Sequence, residues 1–492
     1  MKKIFITTPI YYPNDKLHIG HAYTTILADI YKRYKKMQGY EVFFLTGSDE
    51  HGQKITEKAR QEKQNEKEYV DKIIENFKLL WAKLNINYDY FIRTTDKYHE
   101  QFVQETFQEL LTKSYIYKGK YKGLYCKYDE TFFTEKQALV GNICPECKRK
   151  LVSLEEESYF LKVTLFKNWI KEKLQKTDLL TPNHLKKELI NNFLDKSFSD
   201  LSITRKSIRW GISLLNDKNY VIYVWFDALL NYLSVFKNKE SKYKVTDIWK
   251  KDSNWEILQI IGKEITRFHA LYWPIILKMK NYRTPKIFAH GWIVTDQGEK
   301  MSKSKNNAID PLFLIDKYGS DAIRFYLVKN IALGEDGRFS ENLLIKTING
   351  ILVNKYSNLI ARTDKMLNKY FAGFIPQEII YSDYEINLSK EINNFKNNYY
   401  KFMDQFKLNQ AIDEIIKYIE TLNKYIENKE PWKEKDQKYL KVILNFLTKN
   451  IFDLSYLFSP FIPNSFQIIN EWLNQGDFTK KINKINFLFT KI

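Results

Sequence analysis

The 492-residue chain carries 78 Lys+Arg against 59 Asp+Glu, a net charge of +19. At ~150 residues per domain the length suggests roughly three domains and ample material for a core. A hydrophobic share of 44% with 16% aromatic residues excludes a disordered chain, and three cysteines exclude a disulfide scaffold and fit a reducing compartment. No apolar run approaches the ~20 residues that span a bilayer, so no membrane partner is expected. The N-terminus, MKKIFITTPIYYP, is basic but continues as a strand-like stretch closed by Pro13, with no small-residue cleavage site. A cytoplasmic protein is the expectation. The positive excess fits a polyanionic partner. It fits general lysine bias equally well, and charge alone does not separate the two.

Lys3 to Thr8 alternates apolar and polar residues in a β-favouring composition. Tyr11 to Lys16 holds turn formers, and Ile26, Leu27, Ile30, Tyr31 and Tyr34 then recur at helical spacing until about Gly39. Glu41 to Thr46 is a nearly continuous apolar run, as expected of a parallel strand covered on both faces. Strand, helix, strand is a βαβ unit and predicts a doubly wound α/β domain with a parallel sheet, of the nucleotide-binding kind. Residues 116–220 differ: they hold all three cysteines, many short strand-like runs and a Lys/Asn-rich middle, and read as an insertion. Val221 to Phe226, Glu256 to Ile261 and Lys286 to Ile293 read as strands that resume the sheet. From Leu343 onward helical apolar periodicity dominates, which predicts a C-terminal α-helical bundle. The expected division is thus 1–115 and 221–342 as two halves of the α/β domain, 116–220 inserted between them, and 343–492 as the bundle. Lys/Glu runs such as Glu57 to Lys67 read as solvated helix faces.

Two short motifs carry chemistry. His18-Ile19-Gly20-His21 falls at the strand-to-helix turn, where a helix start offers N–H groups and positive dipole to phosphate. The two histidines, three apart, share one face, and Gly20 admits a planar base close to the backbone. Far downstream stands Lys300-Met301-Ser302-Lys303-Ser304, two lysines flanking small hydroxyls. Such a cationic loop can hold the β- and γ-phosphates of ATP and stabilise departing pyrophosphate. Either motif alone has a bland reading, as ordinary capping histidines or as one more basic loop. Their co-occurrence in this order makes chance remote.

The pair resembles the two signatures of class I aminoacyl-tRNA synthetases, and further segments narrow the resemblance to the methionyl-tRNA synthetase family. These are Thr7 to His21 (TTPIYYPNDKLHIGH), Leu45 to Gly52 (LTGSDEHG), Tyr223 to Tyr232 (YVWFDALLNY), Ile261 to Pro274 (IGKEITRFHALYWP), His290 to Pro311 (HGWIVTDQGEKMSKSKNNAIDP) and Tyr318 to Leu327 (YGSDAIRFYL). The resemblance implies a catalytic domain split by a connective insertion with a knuckle, and an anticodon-binding bundle. It implies that methionine is activated with ATP to methionyl-adenylate plus pyrophosphate, then transferred to the 3′ adenosine of tRNA(Met), with Mg²⁺ accompanying ATP.

Residue by residue, the resemblance assigns phosphate chemistry to His18, His21, Lys300 and Lys303, with Gly20, Met301, Ser302 and Ser304 also on ATP. It assigns the methionine pocket to Ile10, Tyr12, Trp225, Ala228, Tyr232, Ile265 and His269, and the substrate ammonium to Asp49. Aromatic walls suit a thioether, and Tyr232 or His269 supplies a polar handle. Leu229 stands where many family members have Pro. Asn358 and Arg362, four apart on a helix, match the family's anticodon readers, and Trp432 matches a base-stacking position. Read alone, Trp432 is an interhelical core residue.

Cys144 and Cys147 form a CxxC with Cys126 upstream, and Asp129 stands where a second pair would place a cysteine. Three Cys and one Asp can make a tetrahedral zinc site, since zinc accepts carboxylate oxygen. Zinc-free relatives also carry Asp here, so a relic knuckle held by packing stays equally open. Competing functions are another class I synthetase and a basic RNA-binding module on an inactive nucleotide fold. An insertion of ~100 residues is too short for the editing domain of the Ile, Val and Leu enzymes, and the intact histidine and lysine motifs oppose the second. A monomer is expected, because the sequence stops soon after the bundle.

Overall fold

A computed structural model describes residues 1–126, 131–133, 138–145, 147–299, 301, 309–331, 334–485 and 488–492. The chain divides into two compact units. The first comprises Met1–Leu17, Gln38–Leu79 and Asn87–Gly291, and the second His18–Met37, Leu80–Ile86 and Trp292–Ile492.

Along the chain, β1 (Lys3–Tyr11), helix α1 (Ile19–Met37), β2 (Glu41–Ser48), β3 (Tyr90–Arg93) and α2 (Lys97–Thr112) come first. Then follow β4 (Ile116–Cys126), β5 (Thr131–Phe133), β6 (Val152–Leu161), β7 (Leu180–Thr181), β8 (Leu201–Ser202), β9 (Thr204–Arg205) and β10 (Val221–Ile222). Helices α3 (Val224–Leu229) and α4 (Asn231–Ser234) precede β11 (Trp255–Gly262) and β12 (Lys286–His290). Six of these strands form one sheet in the order β3-β2-β1-β11-β12-β7, with every pair parallel. It is the doubly wound core of the first unit. Ile4, Phe5, Ile6, Phe44, Leu45, Ile260 and Ile261 are all but inaccessible, as a parallel sheet covered on both faces requires.

Two local features shape the ends of β1 and β2. The β1–β2 register slips by one residue between Thr7, opposite Leu45, and Ile10, opposite Gly47. Pro9 lies in that interval and has no N–H to give the ladder, so the strand bulges and re-aims the residues that follow. At Gly47 a Cβ would sit 2.1 Å from the Ile92 carbonyl oxygen, so only glycine lets β2 approach β3 there.

Several sequence expectations are corrected. The run Val221 to Phe226 is strand only at β10, which pairs antiparallel with β9, and turns into α3 from Val224. A short apolar run does not separate a buried strand from a buried helix turn. The run Lys286 to Ile293 breaks after His290, and Ile293–Val294 forms β13, paired with β14 (Gly337–Arg338) in the second unit. Within 116–220 the strands β5-β4-β6-β8 make an antiparallel sheet, while β7 bonds to β12 at the edge of the parallel sheet.

In the second unit α1 buries Ile26, Leu27, Ile30, Tyr31 and Tyr34, the residues whose spacing predicts it. Helix α5 (Ser320–Asn330) is followed by a bundle of α6 (Asn358–Phe371), α7 (Asp383–Asp404), α8 (Leu408–Lys429), α9 (Gln437–Phe458) and α10 (Pro463–Trp472). Each bundle helix sets an apolar stripe inward, such as Ile412, Ile415, Ile419, Leu422 and Ile426 on α8. Fully buried Arg324 of α5 ties this unit together. Its guanidinium donates to Asp29 of α1 at 2.7 Å and to the carbonyls of Leu84, Pro460 and Phe461. Among the described residues no helix is long and apolar enough to cross a membrane.

Candidate functional site

In the first unit, the ends of β1, α3, α4 and the segment after β11 carry the residues expected to hold methionine. Tyr232 is 1% and His269 2% exposed, and their polar atoms, Oη and Nε2, lie 2.9 Å apart. His269 Nδ1 stands 3.1 Å from the Ile265 carbonyl, which only accepts, so Nδ1 holds the proton and Nε2 accepts from the tyrosine hydroxyl. Burial pushes the His269 imidazole down to about 4, and it is neutral near pH 7. Burial likewise pushes the Tyr232 phenol up, keeping it protonated. The pair is an uncharged polar handle. Ala228 and Leu229 are buried, and Ile10, Trp225 and Ile265 are half-buried against the hydrophobic core that includes Tyr232 and Leu229. Trp225 stacks face to face on Phe268 with centroids 3.8 Å apart. Tyr12 is partly buried against Ile55, Ala59, Tyr69 and Val70. Asp49 follows β2, and its N–H donates to the Tyr11 carbonyl at 2.9 Å.

In the second unit, His18 and His21 flank the first residues of α1 with ring centroids 3.9 Å apart. The N–H of Gly20 donates to His18 Nδ1, and the N–H of His18 donates to His21 Nδ1, each at 3.1 Å. Both rings therefore cap backbone donors, and in their neutral forms both carry the proton on Nε2. A Cβ at position 20 would meet His18 Cε1 at 2.9 Å, which is why glycine stands between them. Lys300, Ser302, Lys303 and Ser304 lie outside the described residues; Met301 is buried. On the bundle, Asn358 and Arg362 occupy α6, and the Arg362 guanidinium sits 5.4 Å from the Trp432 ring centroid. Trp432 is 47% exposed, so the interhelical-core reading does not hold.

Cys126, Cys144 and Cys147 converge, with their sulfurs all within 4.8 Å of one another and Cys126 and Cys147 3.4 Å apart. Four ligands at ~2.3 Å from a tetrahedral zinc stand ~3.7 Å apart, so the three thiols fit such an ion in spacing and softness. Asp129 lies outside the described residues.

The family described as tRNA synthetases class I (M) matches residues 4–153 and 149–364. A methionine–tRNA ligase of Mycoplasmopsis pulmonis is 42% identical over 514 residues, covering 100% of this chain and 99% of that protein. One of Clostridium tetani is 42% identical over 96% of this chain and 74% of its own length. Mycobacterium tuberculosis methionyl-tRNA synthetase in complex with methionyl-adenylate superposes with a TM-score of 0.91 at 29% identity, covering 99% of this chain and 100% of the other.

The chain belongs to the methionyl-tRNA synthetase family.

One constellation in this methionyl-tRNA synthetase fold escapes sequence reading. Asp227 of α3, 1% exposed, receives His51 Nδ1–H on Oδ2 at 2.7 Å and His99 Nε2–H on Oδ1 at 2.6 Å. His99 Nδ1 pairs with Ser234 Oγ of α4 at 2.6 Å. Burial alone would lower the His51 imidazole, but attraction to Asp227 outweighs it and raises it; burial would raise the Asp227 carboxyl, but the two imidazoles hold it down. Next to His51, Glu50 takes two hydrogen bonds from Arg93, at 2.6 and 2.9 Å, and one from Thr95 at 2.5 Å. The loop bearing Asp49 and the helices bearing Trp225, Ala228 and Tyr232 are thus tied through one buried carboxylate. Histidines at 51 and 99 with an acid at 227 share no sequence spacing; the one signal was a charged residue inside the apolar run YVWFDALL.

Proposed function

We propose that this chain activates methionine with ATP and transfers it to the 3′ adenosine of tRNA(Met), and that its residues divide the work as follows. Ile10, Tyr12, Trp225, Ala228, Ile265 and the Tyr232–His269 pair enclose the thioether side chain, and Asp49 pairs with the substrate ammonium. The uncharged Tyr232–His269 handle, buried among aromatic and aliphatic walls, is the observation that carries this reading. An uncharged, buried site suits an uncharged thioether side chain and gives no counter-charge to a basic or acidic one.

In the first step the methionine carboxylate attacks the α-phosphate and pyrophosphate leaves; in the second the ribose hydroxyl of the terminal adenosine attacks the activated carbonyl. Neither step needs a protein nucleophile. His18 and His21, with Nδ1 engaged by backbone donors, direct Nε2–H toward developing phosphate charge, and Lys300 and Lys303 neutralise the departing phosphates. Gly20, Met301, Ser302 and Ser304 complete the nucleotide contacts. Mg²⁺ bound with ATP supplies further charge neutralisation. Asn358, Arg362 and Trp432 read the anticodon, a role supported by Trp432 standing exposed beside Arg362. Residues 1–115 and 221–342 serve as the catalytic domain, 116–220 as the connective domain and 343–492 as the anticodon-binding domain of a monomer. Cys126, Cys144 and Cys147 would hold a structural zinc.

The test is amino-acid-dependent ATP–pyrophosphate exchange by the purified chain. Methionine alone supports exchange; absence of exchange with every amino acid sinks the reading.

A further inference from the structure

Beside the Tyr232–His269 pair the parallel sheet buries polar groups that the roles above leave unused. Thr7 on β1 stands opposite Gln259 on β11 in the ladder. Side chains alternate between the two faces of a strand, so both residues share a face with Phe5, Ile257 and Ile261. That face packs into the core that holds Tyr232, Trp249 and Trp273. The Phe5 ring lies 6.2 Å from that of Trp249, whose indole N–H donates to the Tyr232 carbonyl at 3.1 Å.

Thr7, Gln259 and Trp273 are all 0% exposed. Neither amide atom of Gln259 has a hydrogen-bond partner among the described residues. The same holds for the indole N–H of Trp273, whose ring lies 5.6 Å from that of Tyr232. Thr7 Oγ1 completes no hydrogen bond of full geometry there either, yet it stands close enough to the Tyr232 phenol to act against the upward push of burial. Buried polar groups in this condition call for a partner, and the usual one is a water making about three hydrogen bonds.

The placement also has a direction. The single Tyr232 hydroxyl proton has two acceptors in reach, His269 Nε2 at 2.9 Å and the Thr8 carbonyl at 3.4 Å. A donor on the Oη lone pairs from the Thr7 side turns that proton toward His269, and Thr7 donates more strongly when its own oxygen accepts a hydrogen bond. His269 passes the order on, since its Nδ1–H donates to the Ile265 carbonyl.

We propose that Gln259 and Thr7 bind one buried water, with Trp273 as its third partner, and that this water heads a one-way hydrogen-bond chain through Thr7 and Tyr232 to His269. Gln259 and Thr7 are thereby positioning residues for the methionine pocket. The proposal rests on the reading that the Tyr232–His269 pair contacts methionine.

The test reads the methionine Kd of the full chain by equilibrium dialysis, with each variant made both in the parent and in Tyr232→Phe. Gln259→Leu removes groups that have no protein partner and keeps a similar size, so the melting temperature holds. The Kd rises ~2- to 10-fold, as for the loss of one neutral hydrogen bond; Thr7→Val matches it, and Thr7→Ser keeps the parent value. In Tyr232→Phe neither substitution adds to the Kd, because both act through the missing hydroxyl. An unchanged Kd in Gln259→Leu or Thr7→Val overturns the proposal. So does an equal rise with and without the Tyr232 hydroxyl, which assigns the residues to packing. If Gln259→Leu lowers the melting temperature, Thr7→Val against Thr7→Ser decides alone. Tyr232→Phe separates the two readings. If it raises the Kd and the others do not, the water chain alone fails; if it leaves the Kd at the parent value, the pocket reading fails and the proposal with it. A high-resolution crystal structure of the parent should show the water within hydrogen-bond reach of Gln259 and Thr7, and a dry contact overturns it.

Discussion

Replacing Asp227 by Asn tests whether one buried carboxylate holds together the elements proposed to bind methionine. The carboxylate is 1% exposed and accepts one imidazole N–H on each oxygen, at 2.7 and 2.6 Å. An asparagine fills the same volume but offers one acceptor and one donor. One imidazole keeps its bond; the other faces an N–H and must change tautomer or turn away. The loss is one charge-assisted hydrogen bond, ~1.5–3 kcal/mol, and each ~1.4 kcal/mol is tenfold in an equilibrium constant. Alanine strands both rings in a dry site and costs ~3–5 kcal/mol.

Urea unfolding measures both losses at unchanged m-value, and the methionine KM in exchange measures how far they reach the pocket, with ATP KM as the control. A raised methionine KM at nearly constant kcat is the expected split for a residue that positions others. An Asn variant that unfolds at the parent midpoint and keeps the parent KM would show that the Asp227 carboxylate does not hold these elements in place. The pH dependence adds a signed check. His51 is raised above its ordinary 6.5, so its contribution is complete below 6.5 and is lost as pH rises through the raised value. Asp227 is held below its ordinary 3.8, so its contribution is complete above 3.8 and is lost as pH falls through the lowered value. Parent stability therefore falls on the alkaline side more steeply than that of the Asn variant; parallel profiles would contradict the pairing.

Arg324→Met removes a fully buried guanidinium from Asp29 and three carbonyls, and is expected to cost ~3–5 kcal/mol of stability in thermal or urea unfolding; a loss under ~1 kcal/mol would show that the ion pair carries little. Lys303→Ala should depress pyrophosphate exchange at least tenfold while methionine binding by equilibrium dialysis stays at the parent value; lost methionine binding would put the loop elsewhere in the mechanism. Trp432→Ala should raise the tRNA KM in charging by ~5- to 100-fold, the worth of one stacked base; an unchanged KM would mean that Trp432 stacks on no base. Metal analysis of purified protein should find one zinc per chain, lost in Cys144→Ser; a metal-free parent with an unaltered melting temperature would mean that packing of Leu124 and Leu151 around the cysteines suffices.

What depends on local order is written in the chain itself. The βαβ start, the helix at Ile26 to Tyr34, and the apolar periodicity of the C-terminal helices are patterns of 2 and 3.6 residues, and near neighbours in the chain enforce them. The family was legible for the same reason, since its motifs are contiguous strings. Tertiary structure decided what depends on residues far apart. Whether YVWFDALL is strand or helix was settled by packing, because either state buries it. The His51–Asp227–His99 bracket and the Arg324 hub join positions separated by 128 to 295 residues. Such groupings exist only once burial has removed water and forced each polar group to find a partner.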